Sequence, residues 1–197
     1  MCQESRNSFH YNGWILAKLK DHNYLKVFNC QDDDLNEYFK VDSLKHKKEL
    51  LTETYTLTES TDKTCFPVAL IDLCNDSIRR EKFKKVNELK NFSAQKNYPS
   101  YPAVKITRLG VHHEFQRNNI GSFLLNITKQ FFITDNRTGC RFLTVDAYNR
   151  DNILKFYTKN DFQFFYDKDK NKKTRAMFFD LKRLNLNNEK MGSNLEL

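Results

Sequence analysis

The sequence predicts a mixed α/β fold in a single domain. Segments with the two-residue alternation of strands and segments with the helical period of about 3.6 residues follow one another along the 197 residues. This length suits one domain with a sizeable core, and no Pro-, Gly- or Ser-rich linker divides the chain. Hydrophobic residues make up 39% and aromatic residues 14% of the sequence, which argues against a disordered chain.

The first part of the chain predicts a strand, two helices and two more strands. Asp34 and Glu37 have the spacing of a capping box at a helix start. Leu35, Tyr38 and Phe39 form one apolar face of that helix, and we expect this face to pack in the core. The predicted elements are a strand at 14–19, helices from 35–38 onward and at 44–51, and strands at 53–58 and 67–73.

A basic connection then leads into a strand–helix–strand unit. The helix of this unit is indicated by Ile120, Phe123, Leu124, Ile127 and Phe131, which recur at helical spacing and form one apolar stripe. Such a stripe can dock on a sheet. The predicted elements are a strand at 104–111, a helix at 120–133, a strand at 141–147, a helix at 152–159 and a hairpin of 162–166 with 176–181.

The strand that precedes this helix breaks its own alternation. Val104 and Ile106 share one face, whereas Leu109 and Val111 have the opposite parity, so the register slips by one in between. A β-bulge explains this, with Gly110 as a suitable position, and it would leave backbone N–H and C=O groups free to bind something else. An apolar run buried on both faces explains the pattern equally well.

A polar turn joins the strand to the helix. It contains one Gly and two Asn, the residues that best tolerate a positive φ, and consecutive free N–H groups at a helix start bind phosphate. One Gly in a polar turn is by itself more typical of an ordinary loop. The turn and helix start read Gln116-Arg117-Asn118-Asn119-Ile120-Gly121-Ser122.

In this context the turn resembles the cofactor loop of the GCN5-related N-acetyltransferases, the GNAT family. That loop runs Gln or Arg, two or three variable residues, Gly, one residue, then Gly or Ala, directly after a bulged strand. Gln116 and Gly121 match it, and Asn119 stands where the family usually has its first Gly. This is a mild change, because Asn is the next-best residue at a positive φ.

The similarity extends over roughly residues 103–166. The segment Phe156-Tyr157-Thr158-Lys159-Asn160-Asp161-Phe162 is similar to the family's Phe/Leu-Tyr-x-x-x-Gly-Phe signature, with Asp161 in place of the Gly. Asn149 precedes Tyr157 at a spacing one residue longer than the commonest version. The resemblance implies a central twisted mixed sheet flanked by helices, with residues 1–183 as one acetyltransferase domain and residues 184–197 as a flexible tail.

The resemblance also implies acetyl-CoA as the acetyl donor and direct attack by a primary amine in a ternary complex. Tyr157 corresponds to the family's general acid, and a phenol with a pKa of about 10 is still protonated at neutral pH. A core Tyr on an apolar helix face is the alternative. Backbone N–H groups near Leu109 or Val111 would stabilise the oxyanion. The expected cofactor-binding residues are Leu109, Val111, Gln116, Arg117, Asn118, Asn119, Gly121, Ser122 and Asn149.

The acceptor amine is left open among small-molecule, protein and aminoacyl-tRNA amines, and a protein that binds acyl-CoA without turnover is a further alternative. The layout from Val27 to Leu57 resembles toxin-type acetyltransferases that modify aminoacyl-tRNA, which allows an antitoxin partner and a homodimer. His112, His113 and Glu114 are not convincing general bases. An α-amine with a pKa of about 7.8 is roughly 10–20% deprotonated at neutral pH, against about 0.1% for a lysine, so a missing base weakly favours an α-amine.

The net charge of +8 is concentrated in two segments, Arg79–Lys85 and Lys168–Arg175. Either could meet tRNA or the cofactor's phosphates, although a solvated surface is the simpler explanation. No apolar run approaches the ~20 residues of a membrane span, and the polar N-terminus has no signal-peptide core, so we expect a cytoplasmic protein. The five cysteines include no C-x-x-C pair, so we expect neither a metal site nor a disulfide.

Overall fold

A computed structural model describes residues 8–83, 98–134 and 138–184. In this part of the chain, eight strands form one sheet in the order β1-β2-β3-β4-β5-β6-β8-β7, flanked by helices. The strands are β1 (Ser8–Tyr11), β2 (Trp14–Lys18), β3 (Glu53–Glu59), β4 (Ala69–Arg79), β5 (Ser100–Val111), β6 (Phe142–Tyr148), β7 (Gln163–Phe164) and β8 (Thr174–Asp180). The α-helices are α1 (Asp33–Glu37), α2 (Ser43–Lys48), α3 (Ile120–Thr134) and α4 (Asp151–Lys159), and a π-helical turn, Tyr38–Asp42, joins α1 to α2.

Strand β1 was not expected from the sequence. It pairs antiparallel with β2, and the two are joined by Asn12 and Gly13, which have φ values of 48° and 79°. Two residues at positive φ form the turn that a tight hairpin requires, and Asn-Gly is the dipeptide that favours it. The signal was therefore present in the sequence.

The chain divides into two compact units. The first comprises Met1–Cys74 and Ile106–Phe131, and the second comprises Asn75–Lys105 and Phe132–Leu197. Strands β4 and β5 are therefore each divided, with one part of the strand in the first unit and the other part in the second. The expected tail, residues 184–197, lies outside the described residues except for Leu184, and the assignment of residues 1–183 to one domain stays a prediction.

The core of the first unit contains the apolar helix face that the sequence predicts. Tyr38 and Phe39 are buried in it, and Leu35 packs against it from α1. The helix begins earlier than expected, because Asp32, in an extended conformation, accepts a hydrogen bond from the backbone N–H of Leu35. Helix α2 ends at Lys48 instead of residue 51. The full buried cluster is Leu19, Leu25, Phe28, Cys30, Tyr38, Phe39 and Leu70.

In the second unit both faces of strand β6 are covered. On one face Phe142 packs with Ile78, Ala103, Phe165 and Phe178. The neighbouring residues of β6, Leu143, Val145 and Ala147, are also buried. Because consecutive strand residues point to opposite faces, β6 is a central strand of this unit.

The expectation of no disulfide is wrong for Cys65, which is disulfide-bonded. Cys30, Cys74 and Cys140 form no disulfide. Among the described residues, no group of three or more His, Cys, Asp and Glu side chains is placed to hold a metal ion. None of the helices in this part of the chain combines the length and the apolar character needed to cross a membrane.

Candidate functional site

Strand β5 carries the predicted register slip. The backbone N–H of His112 bonds to the carbonyl of Val68, and that of Arg80 bonds to the carbonyl of Pro99. The span from residue 99 to residue 112 is one residue longer than the span from residue 68 to residue 80. One residue of β5 is therefore left without a partner on β4, which defines a β-bulge.

Two consecutive side chains locate the bulge at Thr107 and Arg108. The Thr107 hydroxyl bonds to the Asp72 carboxylate, and the Arg108 guanidinium lies 4.8 Å from the centre of the Tyr38 ring. The Tyr38 hydroxyl in turn donates to Asp72 over 2.7 Å, so both side chains meet the same group of residues. In a regular strand, consecutive side chains point to opposite faces, so this arrangement requires the bulge here.

Gly110 is therefore not the bulge residue that the sequence suggests, and its lack of a side chain leaves space for neighbouring rings. A Cβ atom at this position would lie 3.1 Å from Cε2 of Phe39 and 3.4 Å from Cζ of Phe28. Both rings belong to the buried core of the first unit. Gly110 gives these rings space to pack directly on the backbone of β5 just before the turn.

Asp72 is a residue that sequence reasoning missed. Its side chain is fully buried, and it accepts hydrogen bonds from the hydroxyls of Tyr38, Thr54 and Thr107. Burial raises the pKa of Tyr38, which keeps this hydroxyl a donor. A carboxylate within an otherwise apolar strand needs such partners, so the sequence did contain a signal. Asp72 therefore holds Thr107 directly, and it is linked to Arg108 only through Tyr38, whose ring lies under the Arg108 guanidinium.

The turn after β5 contains two residues other than glycine at positive φ. Asn119 has a φ of 60°, as predicted for the position of the family's Gly, and Arg117 has a φ of 64°. The first hydrogen bond of α3 runs from Phe123 N–H to the carbonyl of Asn119 over 2.9 Å. Within the described part of the chain, no backbone N–H of residues 117–121 makes a hydrogen bond of ordinary length and angle to a backbone carbonyl. N–H groups without a strong intramolecular bond at the start of a helix are the groups that bind phosphate in other proteins.

Gln116 fastens this turn to the rest of the first unit. Its side-chain Nε2 donates to the carbonyl of Cys30 over 2.9 Å and to that of Val111 over 3.0 Å. Both donors of the amide are thereby used within the protein. Gln116 thus fixes the orientation of the turn relative to the end of β5, and direct contact with a cofactor stays a prediction for its Oε1 atom.

His112, which the sequence analysis does not favour as a general base, is buried and held by the surrounding residues. It is 4% exposed, its Nε2 lies 3.2 Å from the carbonyl oxygen of Val27, and its Nδ1 lies 3.4 Å from the Glu114 N–H. Its ring also packs edge-on to Phe66 at 4.9 Å between ring centres. With both ring nitrogens engaged, His112 has no free nitrogen with which to accept a proton from an amine.

Tyr157 lies in the second unit, on α4. Its side chain is 7% exposed and packs against Phe156 and Phe162 at ring-centre distances of 5.0 and 5.3 Å. Burial raises the pKa of its phenol, so the hydroxyl stays protonated well above neutral pH. Among the described residues, no hydrogen-bond partner occupies this hydroxyl.

The residue that replaces the family's Gly after Tyr157 keeps the conformation of a glycine. Asp161 has a φ of 65°, and the N–H of Phe162 closes the turn by bonding to the carbonyl of Tyr157 over 3.0 Å. Asp is one of the few residues that tolerate this left-handed conformation at the end of a helix. The replacement therefore preserves the backbone of the signature.

Asn149, also in the second unit, is expected to bind the cofactor, but its side-chain amide bonds to a loop of the protein. Its side-chain Nδ2 donates to the carbonyls of Lys170 and Lys172 over 2.7 and 2.8 Å. Both amide donors hold the loop between β7 and β8, so only Oδ1 is left to contact a ligand. A role of Asn149 in cofactor binding stays a prediction.

The predicted site residues divide between the two units. Asn149 and Tyr157 belong to the second unit. The half-buried Leu109 and Val111, at the end of β5, lie in the first unit together with the turn. The first unit thus brings together the predicted residues Leu109, Val111, Gln116, Arg117, Asn118, Asn119, Gly121 and Ser122.

Comparison with solved structures identifies the fold. A tyrosine-to-phenylalanine mutant of KacT matches with a TM-score of 0.71 and 16% identity, covering 89% of this chain and 99% of KacT. AtaT complexed with acetyl-methionyl-tRNAfMet matches with a TM-score of 0.68 and 18% identity, covering 88% of this chain and 98% of AtaT. AtaTR bound with AcCoA matches with a TM-score of 0.63 and 18% identity, covering 88% and 97%.

No protein-family model matches the chain, and neither does any curated protein sequence. The structural matches nevertheless span almost the whole of each neighbour. The predicted mixed α/β fold, with one large sheet flanked by helices, is confirmed as the fold of these proteins.

Proposed function

We propose that this protein is an acetyl-CoA-dependent N-acetyltransferase whose acceptor is the α-amine of an aminoacyl-tRNA. The observation that carries the proposal is the row of five backbone N–H groups, residues 117–121, directly after a bulged strand. A pyrophosphate needs several donors that point to one place, and a helix start preceded by residues at positive φ supplies them.

The shared fold supports both the cofactor and the acceptor. One structure of this fold is AtaTR bound with AcCoA, and another is AtaT complexed with acetyl-methionyl-tRNAfMet. A further structure holds an AtaT mutant toxin bound to the C-terminus of the antitoxin AtaR. By the same analogy, we propose an antitoxin as a protein partner of this chain, and a homodimer stays a prediction.

In the proposed reaction, the acceptor nitrogen forms a bond to the thioester carbonyl carbon, and the carbon–sulfur bond then breaks. A backbone N–H near Leu109 or Val111 donates to the oxyanion. Tyr157 gives its phenolic proton to the leaving thiolate and regains a proton from water, and the acceptor amine releases its proton to the solvent. The raised pKa of Tyr157 ensures that the proton is present before each turnover.

The state of His112 favours an acceptor that needs no base. Both of its ring nitrogens lie close to other groups of the protein, and it is almost fully buried. An α-amine is sufficiently deprotonated at neutral pH to attack without help, and a lysine side chain is not. This supports aminoacyl-tRNA over a protein lysine as the acceptor.

The test is transfer of labelled acetyl from acetyl-CoA to a panel of charged tRNAs, free amino acids and peptides. We expect wild-type protein to acetylate charged tRNA, and Tyr157→Phe to lower kcat roughly 10- to 1000-fold, as expected for a lost general acid. Because the Tyr157 hydroxyl has no partner among the described residues, its removal should leave folding and acetyl-CoA affinity unchanged.

Phe156→Leu on the same helix serves as a packing control, since it alters a ring contact and keeps the hydroxyl. Equal loss of activity in both variants would make Tyr157 a structural residue. Transfer to free amines or peptides without transfer to any charged tRNA would support the acetyltransferase activity and reject aminoacyl-tRNA as the acceptor.

A further inference from the structure

The loop between β7 and β8 presents a row of lysines on a polar surface. Lys168, Lys170, Lys172 and Lys173 are all exposed, and the other exposed residues from 167 to 173 are Asp167 and Asn171. Asp167 is 3.9 Å from Lys170 and is the one exposed carboxylate of this loop. The loop therefore carries a local excess of positive charge and no exposed apolar side chain.

Buried groups hold the base of this lysine loop. Asp169 is 3% exposed and accepts hydrogen bonds from Arg175 Nε and from the N–H of Ala176, both over 3.1 Å. Arg175 also donates to the carbonyl of Tyr166, and its guanidinium lies 3.7 Å from the centre of the Phe164 ring. The charge of Arg175 is therefore neutralised inside the hairpin, and the lysines alone supply the surface charge.

Asn149 holds the other side of the loop. Its amide donates to the carbonyls of Lys170 and Lys172, and its backbone N–H donates to the carbonyl of Lys173 over 3.0 Å. The N–H of Lys172 bonds to the carbonyl of Asp169 over 3.0 Å. The backbone that carries the lysines is thus fixed to the end of β6, so binding a partner does not require the loop to be ordered first.

We propose that this lysine loop binds the phosphate backbone of the tRNA that carries the acceptor amine. Ammonium groups on a fixed backbone bind phosphates as point charges without reading bases. A protein partner would call for an exposed aromatic or aliphatic anchor, which the loop does not have. The choice of RNA rests on the proposed function, and the lysine loop itself is an independent observation.

The second basic segment of the sequence is described only in part, and Arg79 and Arg80 are its exposed described arginines. Arg79 lies 3.9 Å from Glu81, which opposes its charge. Lys84 and Lys85 fall outside the described residues. The inference is therefore limited to the lysine loop.

The experiment measures binding of deacylated tRNA across a salt series for the fourfold variant K168Q/K170Q/K172Q/K173Q. Each phosphate that is no longer neutralised by a lysine removes roughly 0.7–0.9 from the slope of log K against log salt. If the loop neutralises two or three phosphates, we expect the slope to fall by about two units and the affinity to fall at least tenfold at about 0.1 M salt. Acetyl-CoA affinity, measured by calorimetry, should stay unchanged.

The matched control is K20Q/K26Q/K48Q/K63Q, which removes the same charge from exposed lysines of the first unit. Asn149→Ala keeps the four lysines and releases the loop, so we expect weaker tRNA binding with a nearly unchanged salt slope. Wild-type affinity and slope in the loop variant, or an equal loss in the control variant, would overturn the inference. So would lysine-dependent binding of the protein to anionic vesicles in place of tRNA.

Binding and transfer separate this inference from the proposed function. If wild-type protein binds tRNA through the loop lysines but transfers no acetyl to it, the inference stands and the proposed acceptor fails. If it acetylates charged tRNA and the loop variant binds tRNA normally, the acceptor stands and the inference fails. Absence of any tRNA binding by wild-type protein rejects both.

Discussion

Left-handed backbone conformations at residues other than glycine distinguish this chain from the family pattern that it resembles. Asn119 and Asp161 have φ values of 60° and 65°, and both stand where the family usually has Gly. Asn and Asp are the two side chains that adopt this conformation most readily after Gly. The substitutions therefore change the side chain and keep the course of the backbone.

Gly121, the glycine that this chain retains, provides a direct test of the anion site. Gly121→Val should abolish acetyl-CoA binding, because its side chain would stand beside the five N–H groups at the start of α3. Calorimetric titration with acetyl-CoA measures this.

Gly139→Val is the control, since nothing lies within 4 Å of the position that its Cβ would occupy. We expect that variant to bind acetyl-CoA like the wild type. Unchanged affinity in Gly121→Val would remove the phosphate site from the turn.

The expected pH dependence of the rate follows from the pKa values of Tyr157 and of the acceptor amine. Burial raises the pKa of the Tyr157 phenol above the ordinary value of about 10, so the proposed acid would stay protonated across the working range. The acceptor limits the rate on the acid side. We expect kcat/KM to rise with pH as an α-amine of pKa about 7.8 loses its proton, then to stay level up to about pH 10. A rate that falls between pH 8 and 10 would contradict this assignment.

At the scale of elements, the bulge in β5 depends on one buried carboxylate. Asp72→Asn keeps the size of the side chain but replaces one acceptor oxygen by a donor, so at least one of the three hydroxyls loses its partner. We expect a loss of about 2–4 kcal/mol in the free energy of unfolding, measured with urea, because hydrogen bonds to buried charged groups are worth more than neutral ones.

A half-buried carboxylate of the same strand is the control for this variant. Asp76 accepts hydrogen bonds from the hydroxyl of Thr144 and the N–H of Ser77. Asp76→Asn should cost less than about 1 kcal/mol, since water can replace a lost partner there. An equal loss of unfolding free energy in the two variants would show that the burial of Asp72 does not determine its contribution to stability.

The predictable parts of these elements are those with local signals. The apolar stripe of α3 was sufficient to predict a helix, whereas the change of parity in β5 allowed either a bulge or a strand buried on both faces and did not locate the bulge. The positive φ of Arg117 was not predictable, because its long side chain does not favour that conformation. The burial of His112 depends on Val27 and Phe66, which are distant in sequence, so no local pattern reveals it. Strand β1 was missed although Asn12-Gly13 signals its hairpin.

At the scale of the whole molecule, the count of 33 Lys and Arg residues overstates the basic surface, because some of these side chains are paired with carboxylates. Arg175 is paired with Asp169 inside the hairpin, Arg141 with Asp180, and Lys18 and Lys47 with Glu53. Charge counted along the sequence therefore does not locate a surface that attracts nucleic acid. The sequence indicated the basic segment Lys168–Arg175, and the structure shows that its lysines are exposed whereas Arg175 is buried against Asp169.

The left-handed turns also bear on how such a chain diverges over time. Its neighbours share 16–18% identity with it, yet the fold spans almost their whole length. If the turn after β5 binds phosphate as proposed, the ligand contacts backbone N–H groups and not side chains, so Asn119 can replace Gly with little change in the surface that the ligand meets. Selection on such a site constrains the backbone conformation more strongly than the identity of the residues. Substitutions can therefore make the sequence motif unrecognisable while the backbone conformation of the site is kept.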